Sequence, residues 1–136
     1  ALNKALHAVD LFYEVELPDI FHLQHPVGTV LGRGNYSNYL CVYQRCSVGG
    51  NNGHSPSIGE GVVMFGGSAI IGNSKLASNC WLSIGTIVID QDIPCNSVVF
   101  GRSPYTTIKP TRRNVARDLF IVDAPGRDGN GPHTRL

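Results

Sequence analysis

Apolar residues return at every sixth position over most of the chain. Counting from Ile58, the sixes fall on Met64, Ile70, Leu76, Leu82 and Val88, and an earlier stretch keeps the same step through Val30, Tyr36, Val42 and Val48. All ten anchors are apolar in a chain that is 42% apolar, so chance does not account for the period. Four places beyond the later anchors stand Val62, Ser68, Ser74, Cys80 and Thr86, all small or of modest size. A helix repeats near 3.6 residues and a simple strand at 2, and neither accommodates a step of six. Three short flat faces per turn do. The pattern therefore predicts an all-β, single-stranded parallel β-helix, with each anchor pointing inward and the small residue fitting the corner. Backbone hydrogen bonds would stack its coils about 4.8 Å apart. Residues 26–100 supply about four coils on this count.

The two phased stretches do not join in register. Ten residues separate Val48 from Ile58, so the run Gly49 to Ser57 carries four extra ones, expected to loop out from one face. Pro94 interrupts the period and marks the last coil as irregular. Residues 1–18 lack the hexad and are read as an N-terminal cap, residues 19–110 as the β-helix domain, and residues 111–136 as a C-terminal extension. Its Pro-Gly-Arg-Asp-Gly-Asn-Gly-Pro run, Pro125–Pro132, makes that tail partly disordered on a sequence reading.

Composition narrows the function. Charged residues make up 15% of the chain, against roughly 25% in a typical soluble domain. Much surface is thus expected to face other subunits, as in a homotrimer. A net charge of +1 argues against nucleic-acid binding through the whole surface. No apolar run approaches the roughly 18 residues that span a bilayer, and Ala1 to Leu6 show no signal-peptide pattern. Cys41, Cys46, Cys80 and Cys95 form no Cys-x-x-Cys spacing, so reduced thiols and a cytoplasmic setting are expected.

Specific runs sharpen this picture. His25-Pro26-Val27-Gly28-Thr29-Val30-Leu31-Gly32, the Val48-Gly49-Gly50 corner, Ile58-Gly59-Glu60-Gly61-Val62-Val63, Gly66-Gly67-Ser68-Ala69, Asp92-Ile93-Pro94 and the closing Val98-Val99-Phe100-Gly101 resemble serine acetyltransferases. That family belongs to the hexapeptide-repeat acyltransferases, whose left-handed β-helix trimers place active sites between subunits. The match covers roughly residues 9–110. The resemblance implies acetyl-CoA as acyl donor, no metal, and an O-acetyl transfer to a small hydroxyl-bearing acceptor.

The chemistry follows from the residues so matched. Acyl transfer from a thioester to a hydroxyl needs a base, and histidine suits that work near neutral pH. His25 stands at the position of the family's catalytic histidine, and Asp10, at the family's spacing before it, would fix its tautomer and stabilise the imidazolium. Gln24 and His54 fall where the family binds the acceptor. The Gly66-Gly67-Ser68 and Ser83-Ile84 segments are expected to offer backbone amides to the pantetheine arm. Lys109 and Arg112, with Arg102 and Arg113, would meet the coenzyme phosphates.

The acceptor is where the chain departs from the pattern. The family carries Asp before its catalytic histidine, to pair with the substrate ammonium, and here the residue is Gln24. An Arg-His pair in the inserted loop is represented by His54 alone, and the family's α-helical N-terminal domain has no counterpart in these residues. A sugar of polysaccharide biosynthesis, acetylated on O or N, is therefore favoured over serine. Two further readings stand beside it: a zinc enzyme of the γ-carbonic anhydrase kind using His22, His25 and His54, and a non-catalytic assembly module.

Overall fold

The computed structural model describes residues 8–120. Its strands are two to four residues long and form three ladders that the chain visits in rotation. The first face stacks β1 (Asp10–Leu11), β3 (Val30–Leu31), β6 (Ser47–Gly49), β9 (Ala69–Ile71) and β12 (Ile87–Ile89). The second stacks β4 (Asn35–Tyr36), β7 (Ser57–Ile58), β10 (Lys75–Leu76) and β13 (Asp92–Ile93). The third stacks β2 (Phe21–Leu23), β5 (Leu40–Val42), β8 (Val62–Met64), β11 (Cys80–Leu82), β14 (Ser97–Phe100) and β15 (Thr107–Pro110). Every pairing is parallel except β14 with β15.

The hexad anchors build the core. Val48, Ile70 and Val88 align on the first face, Ile58 and Leu76 on the second, and Val42, Met64 and Leu82 on the third. All are buried. One anchor needs correction: Val30 is 42% exposed, and Leu31 is the residue that points inward, paired with Val48. The step from Leu31 to Tyr36 is five residues, not six, so the corner Gly32-Arg33-Gly34 is short and a strict count slips by one. The step from Val88 to Ile93 shortens in the same way before Pro94.

The small residues four places past the anchors are buried as well. A strand returns to the same face every second residue, so they share the narrow interior with the next anchor. Polar members satisfy themselves on strand carbonyls: the Ser74 hydroxyl donates to Ile71 O at 2.8 Å and Thr86 to Val99 O at 2.9 Å. Corners also demand left-handed backbone. Gly67 and Gly85 adopt it freely, whereas Asn79 and Asn96 adopt it at φ 60° and 53°, their side chains bonding each other from one coil to the next.

Both ends of the stack carry distinct devices. β1 lies within the segment read as a cap and pairs Asp10 with Val30. At the other end β15 runs back along β14, closing the last ladder with an antiparallel strand that ends at Pro110. The chain then forms a short helix, α1 (Val115–Leu119), whose Val115 and Leu119 pack on Cys41, Val63 and Trp81 outside the third face. Asn114 caps it, accepting from the Arg117 amide at 2.9 Å. The first ten residues of the expected extension are thus ordered against the solenoid, and the Pro125–Pro132 run lies outside the described residues.

The inserted run closes as a hairpin. Asn51 and His54 exchange backbone hydrogen bonds of 2.9 Å each across Asn52-Gly53, both at positive φ. That is the two-residue turn for which Asn-Gly is the preferred sequence. Its exposed tip stands off the corner between the first and second faces.

Candidate active site

His25 stands two residues past the end of β2, at the corner where the chain turns from the third face to the first. Its φ is +48°, and Pro26 behind it keeps it out of the right-handed helical region. This corner repeats down the stack and forms a groove of about 650 Å³. The first coil contributes His25 and Val27, the second Gln44 and Arg45, the third Gly66 and Gly67, the fourth Ile84 and Gly85. Successive coils are tied by Arg45 N–H to Val27 O (2.9 Å), Gly67 N–H to Gln44 O (2.9 Å) and Gly85 N–H to Gly66 O (3.0 Å). The groove therefore runs along the solenoid axis, with His25 at its first coil.

Hydrogen bonding sorts the expected backbone donors. The amides of Gly67, Ser68 and Ser83 are engaged, to Gln44 O, Phe65 O and Val99 O. Those of Gly66 and Ile84 have no partner among the described residues, and neither has that of Gln44 one coil earlier. Three successive coils thus offer an unpaired N–H at one corner position. The Ser68 side chain is buried against the Cys46 thiol, 3.6 Å away, and Ser83 Oγ lies 3.3 Å from Thr86 Oγ1. Ile84, 82% exposed, stands on the groove wall. Gln44 and Arg45 escaped sequence reading, although carrying the column of Gly66 and Gly67 one coil back would have found them.

Asp10 and His25 belong to the same end of the molecule. The Asp10 amide donates to Thr29 O at 2.9 Å, and Gly28 N–H donates to Ala8 O at 2.8 Å, binding the His25 corner to the start of β1. Gln24 precedes His25, and its Oε1 lies 2.5 Å from His22 Nε2. His54 lies elsewhere. It lines a separate cleft of about 350 Å³ with Arg33 and the Gly50–Gly53 turn, so one chain does not bring it to His25. Arg33 is held there by Glu14 at 2.7 Å.

The expected phosphate-binding cations also divide. Arg113 stacks on the Trp81 ring at 4.4 Å, Lys109 sits 5.9 Å from the Phe100 centroid, and Arg112 is exposed. Arg102 bridges through its backbone to Ile87, three residues past Ile84 of the groove. Among the described residues no three His, Cys, Asp or Glu converge as metal ligands within the chain, and no helix is long and apolar enough to cross a membrane.

No family model matches the chain. It is 28% identical over 129 residues to a serine acetyltransferase of Staphylococcus epidermidis, covering 91% of this chain and 60% of that one. The crystal structure of serine acetyltransferase from Vibrio cholerae superposes with a TM-score of 0.73 at 23% identity, over 81% of this chain and 43% of that one. A serine acetyltransferase in complex with CoA superposes at 0.68 and 20% identity, over 78% and 43%. The chain spans 43–60% of the length of such curated relatives. Superposition of this quality also settles the hand, since a coil wound the other way would not overlay. The chain is similar in sequence to serine acetyltransferases, and its solenoid is a left-handed parallel β-helix like theirs.

Proposed function

We propose that the chain is an acetyl-CoA-dependent O-acyltransferase with His25 as general base. The observation that carries this reading is the groove: His25 stands at one end of a corner column that continues over four coils past Gln44, Gly66 and Ile84. At about 4.8 Å per coil that column is about 14 Å long, suited to an extended pantetheine arm. A thioester at the His25 end would lie beside the imidazole, and the unpaired amides of Gln44, Gly66 and Ile84 would bond the arm's carbonyls. Arg102 would meet the phosphates at the far end.

The reaction needs no covalent intermediate on the protein. His25 takes the proton of the acceptor hydroxyl as its oxygen attacks the acetyl carbonyl. The tetrahedral intermediate collapses with cleavage of the carbon–sulfur bond, and the imidazolium returns the proton to the departing thiolate. Asp10 steadies the imidazolium, and an unpaired corner amide accommodates the oxyanion. His54 would join this site from a second subunit of a homotrimer, since its cleft is separate within one chain.

Release of free thiol from acetyl-CoA, followed with a panel of hydroxyl acceptors, tests the proposal. Wild type should turn over and His25→Ala should lose at least 100-fold in kcat/KM while keeping CoA affinity. Absence of both turnover and CoA binding in wild type would replace this reading with a non-catalytic β-helix.

A further inference from the structure

Four like corners follow one another along the groove, and one of them is closed differently. Three close with a backbone bond from the fourth residue to the first: Thr29 N–H to Pro26 O at 3.0 Å, Ser68 N–H to Phe65 O at 3.1 Å, and Thr86 N–H to Ser83 O at 3.1 Å. Their third residue is Gly28, Gly67 or Gly85, in the left-handed backbone such a turn requires. In the corner Tyr43 to Cys46 the third residue is Arg45, left-handed at φ 54°, and the direct bond is missing. The Thr29 hydroxyl stands in the gap. Buried in the coil before, it donates to Tyr43 O at 2.7 Å and accepts from Cys46 N–H at 3.4 Å.

This bond fixes which way a peptide faces. Thr29 lies inside the solenoid, so Tyr43 O points inward. Across a planar trans peptide the Gln44 N–H must point the other way, outward at the groove that Gln44 lines. Leu23 pairs with Val42, and His25 and Gln44 each stand two residues past them, so this amide belongs to the coil next to His25. A hydrogen bond accepted by a carbonyl also polarises the N–H of the same peptide. Phe65 O takes the Ser68 N–H at 3.1 Å and the Cys46 thiol at 3.3 Å, and Ser83 O takes the Thr86 N–H at 3.1 Å. The shortest of these bonds thus falls on the peptide nearest His25.

We infer that Thr29 is a positioning residue of the acyl transfer: its hydroxyl replaces the missing turn bond, holds the Tyr43–Gln44 peptide with its N–H outward, and strengthens that N–H as a donor to the acyl oxygen. Thr29 itself touches no substrate. Its effect grows as the oxygen gains charge in the tetrahedral intermediate, so it belongs to kcat rather than to coenzyme binding. The inference rests on His25 being the base of an acyl transfer.

Three variants of the full chain test this. Thr29→Val keeps the shape and deletes the hydroxyl, and Thr29→Ser keeps the hydroxyl. Thr86→Val deletes the buried hydroxyl that donates to Val99 O three coils on, and so controls for lost stability. The probes are CoA and a trifluoromethyl ketone analogue of acetyl-CoA, whose carbonyl adds water to become tetrahedral. Thr29→Val should weaken the analogue about tenfold or more and change CoA affinity by less than about twofold. Thr29→Ser should restore the analogue, and Thr86→Val should alter neither probe. With an acceptor that turns over, kcat should fall in Thr29→Val by the same factor while KM for acetyl-CoA holds. Undiminished analogue affinity in Thr29→Val, or an equal loss for CoA, would overturn the inference and leave the acyl transfer standing. Wild type gives a second reading should Thr29→Val fail to fold. There the analogue, unlike CoA, should move the Gln44 amide proton downfield further than those of Gly66 and Ile84, and a larger shift at either of these would overturn the assignment. Failure of wild type to bind CoA at all would instead bring down the underlying reading.

Discussion

Individual side chains in this protein answer to one question, whether they point into the prism or out of it. Cys41, Cys46 and Cys80 are buried and Cys95 is exposed. Ellman's reagent should therefore titrate one thiol per native chain quickly and the other three only on unfolding. Burial pushes the Cys41 and Cys80 thiols up to about 12 from 9.0, the neighbouring thiols Cys46 and Cys95 adding to the shift. Between those values the folded chain keeps protons that the unfolded chain has lost. Stability should accordingly be full below pH 9 and fall steadily toward pH 12. Urea midpoints at pH 8 and pH 10 measure this, and Cys80→Ser, which keeps a donor for Ala77 O but does not ionise, should flatten the decline. On the groove wall, Ile84→Trp fills open space rather than core. It should weaken CoA binding at least tenfold in calorimetry and leave the urea midpoint unchanged.

At the scale of elements, the informative junction is Asn79, a corner residue at φ 60° that holds the C-terminal segment to the coils. Its Nδ2 donates to Asn96 Oδ1 at 2.9 Å and to Arg113 O at 2.7 Å, while its Oδ1 accepts from Val115 N–H at 2.9 Å. Asn79→Ala removes all three bonds, leaves the buried Val115 amide without a partner and sets a Cβ-only side chain in left-handed backbone. A loss of about 2–4 kcal/mol is expected by urea denaturation. The sole tryptophan, Trp81, lies under α1 and against Arg113. Its emission should shift to the red in this variant if α1 lifts away, and an unshifted spectrum would show that apolar packing alone holds the helix down. The hexad found the faces of the solenoid but not this helix, because five residues offer too little periodicity to be read. Its position is decided by the apolar outer surface of the third face, where Cys41, Val63 and Trp81 align in register.

Over the whole molecule, the stack binds each coil only to its neighbours, so stability is shared along one axis and the outer faces are left to other partners. Outward-facing Val30 and Ile89 on the first face are 42% and 39% exposed, and Val27 and Ile84 at the groove 61% and 82%. With 15% charged residues, such a surface fits association into the proposed homotrimer. Light scattering should give three times the 14.7 kDa chain mass, and a monomer at micromolar concentration would contradict it. Architecture was legible from the chain because an inward residue is needed once per face, and that need is written as a period of six. Local chemistry sets this much: which positions are apolar, where Gly or Asn permits a corner, and where Asn52-Gly53 makes a tight turn. Other matters wait for the coils to stack. Only then do Gln44, Gly66 and Ile84, far apart in the chain, become one column beside His25, while His54 is carried round to a different corner. Leu31 rather than Val30 enters the core for the same reason, since pairing with Val48 in the next coil, and not the count along the chain, chooses the inward side.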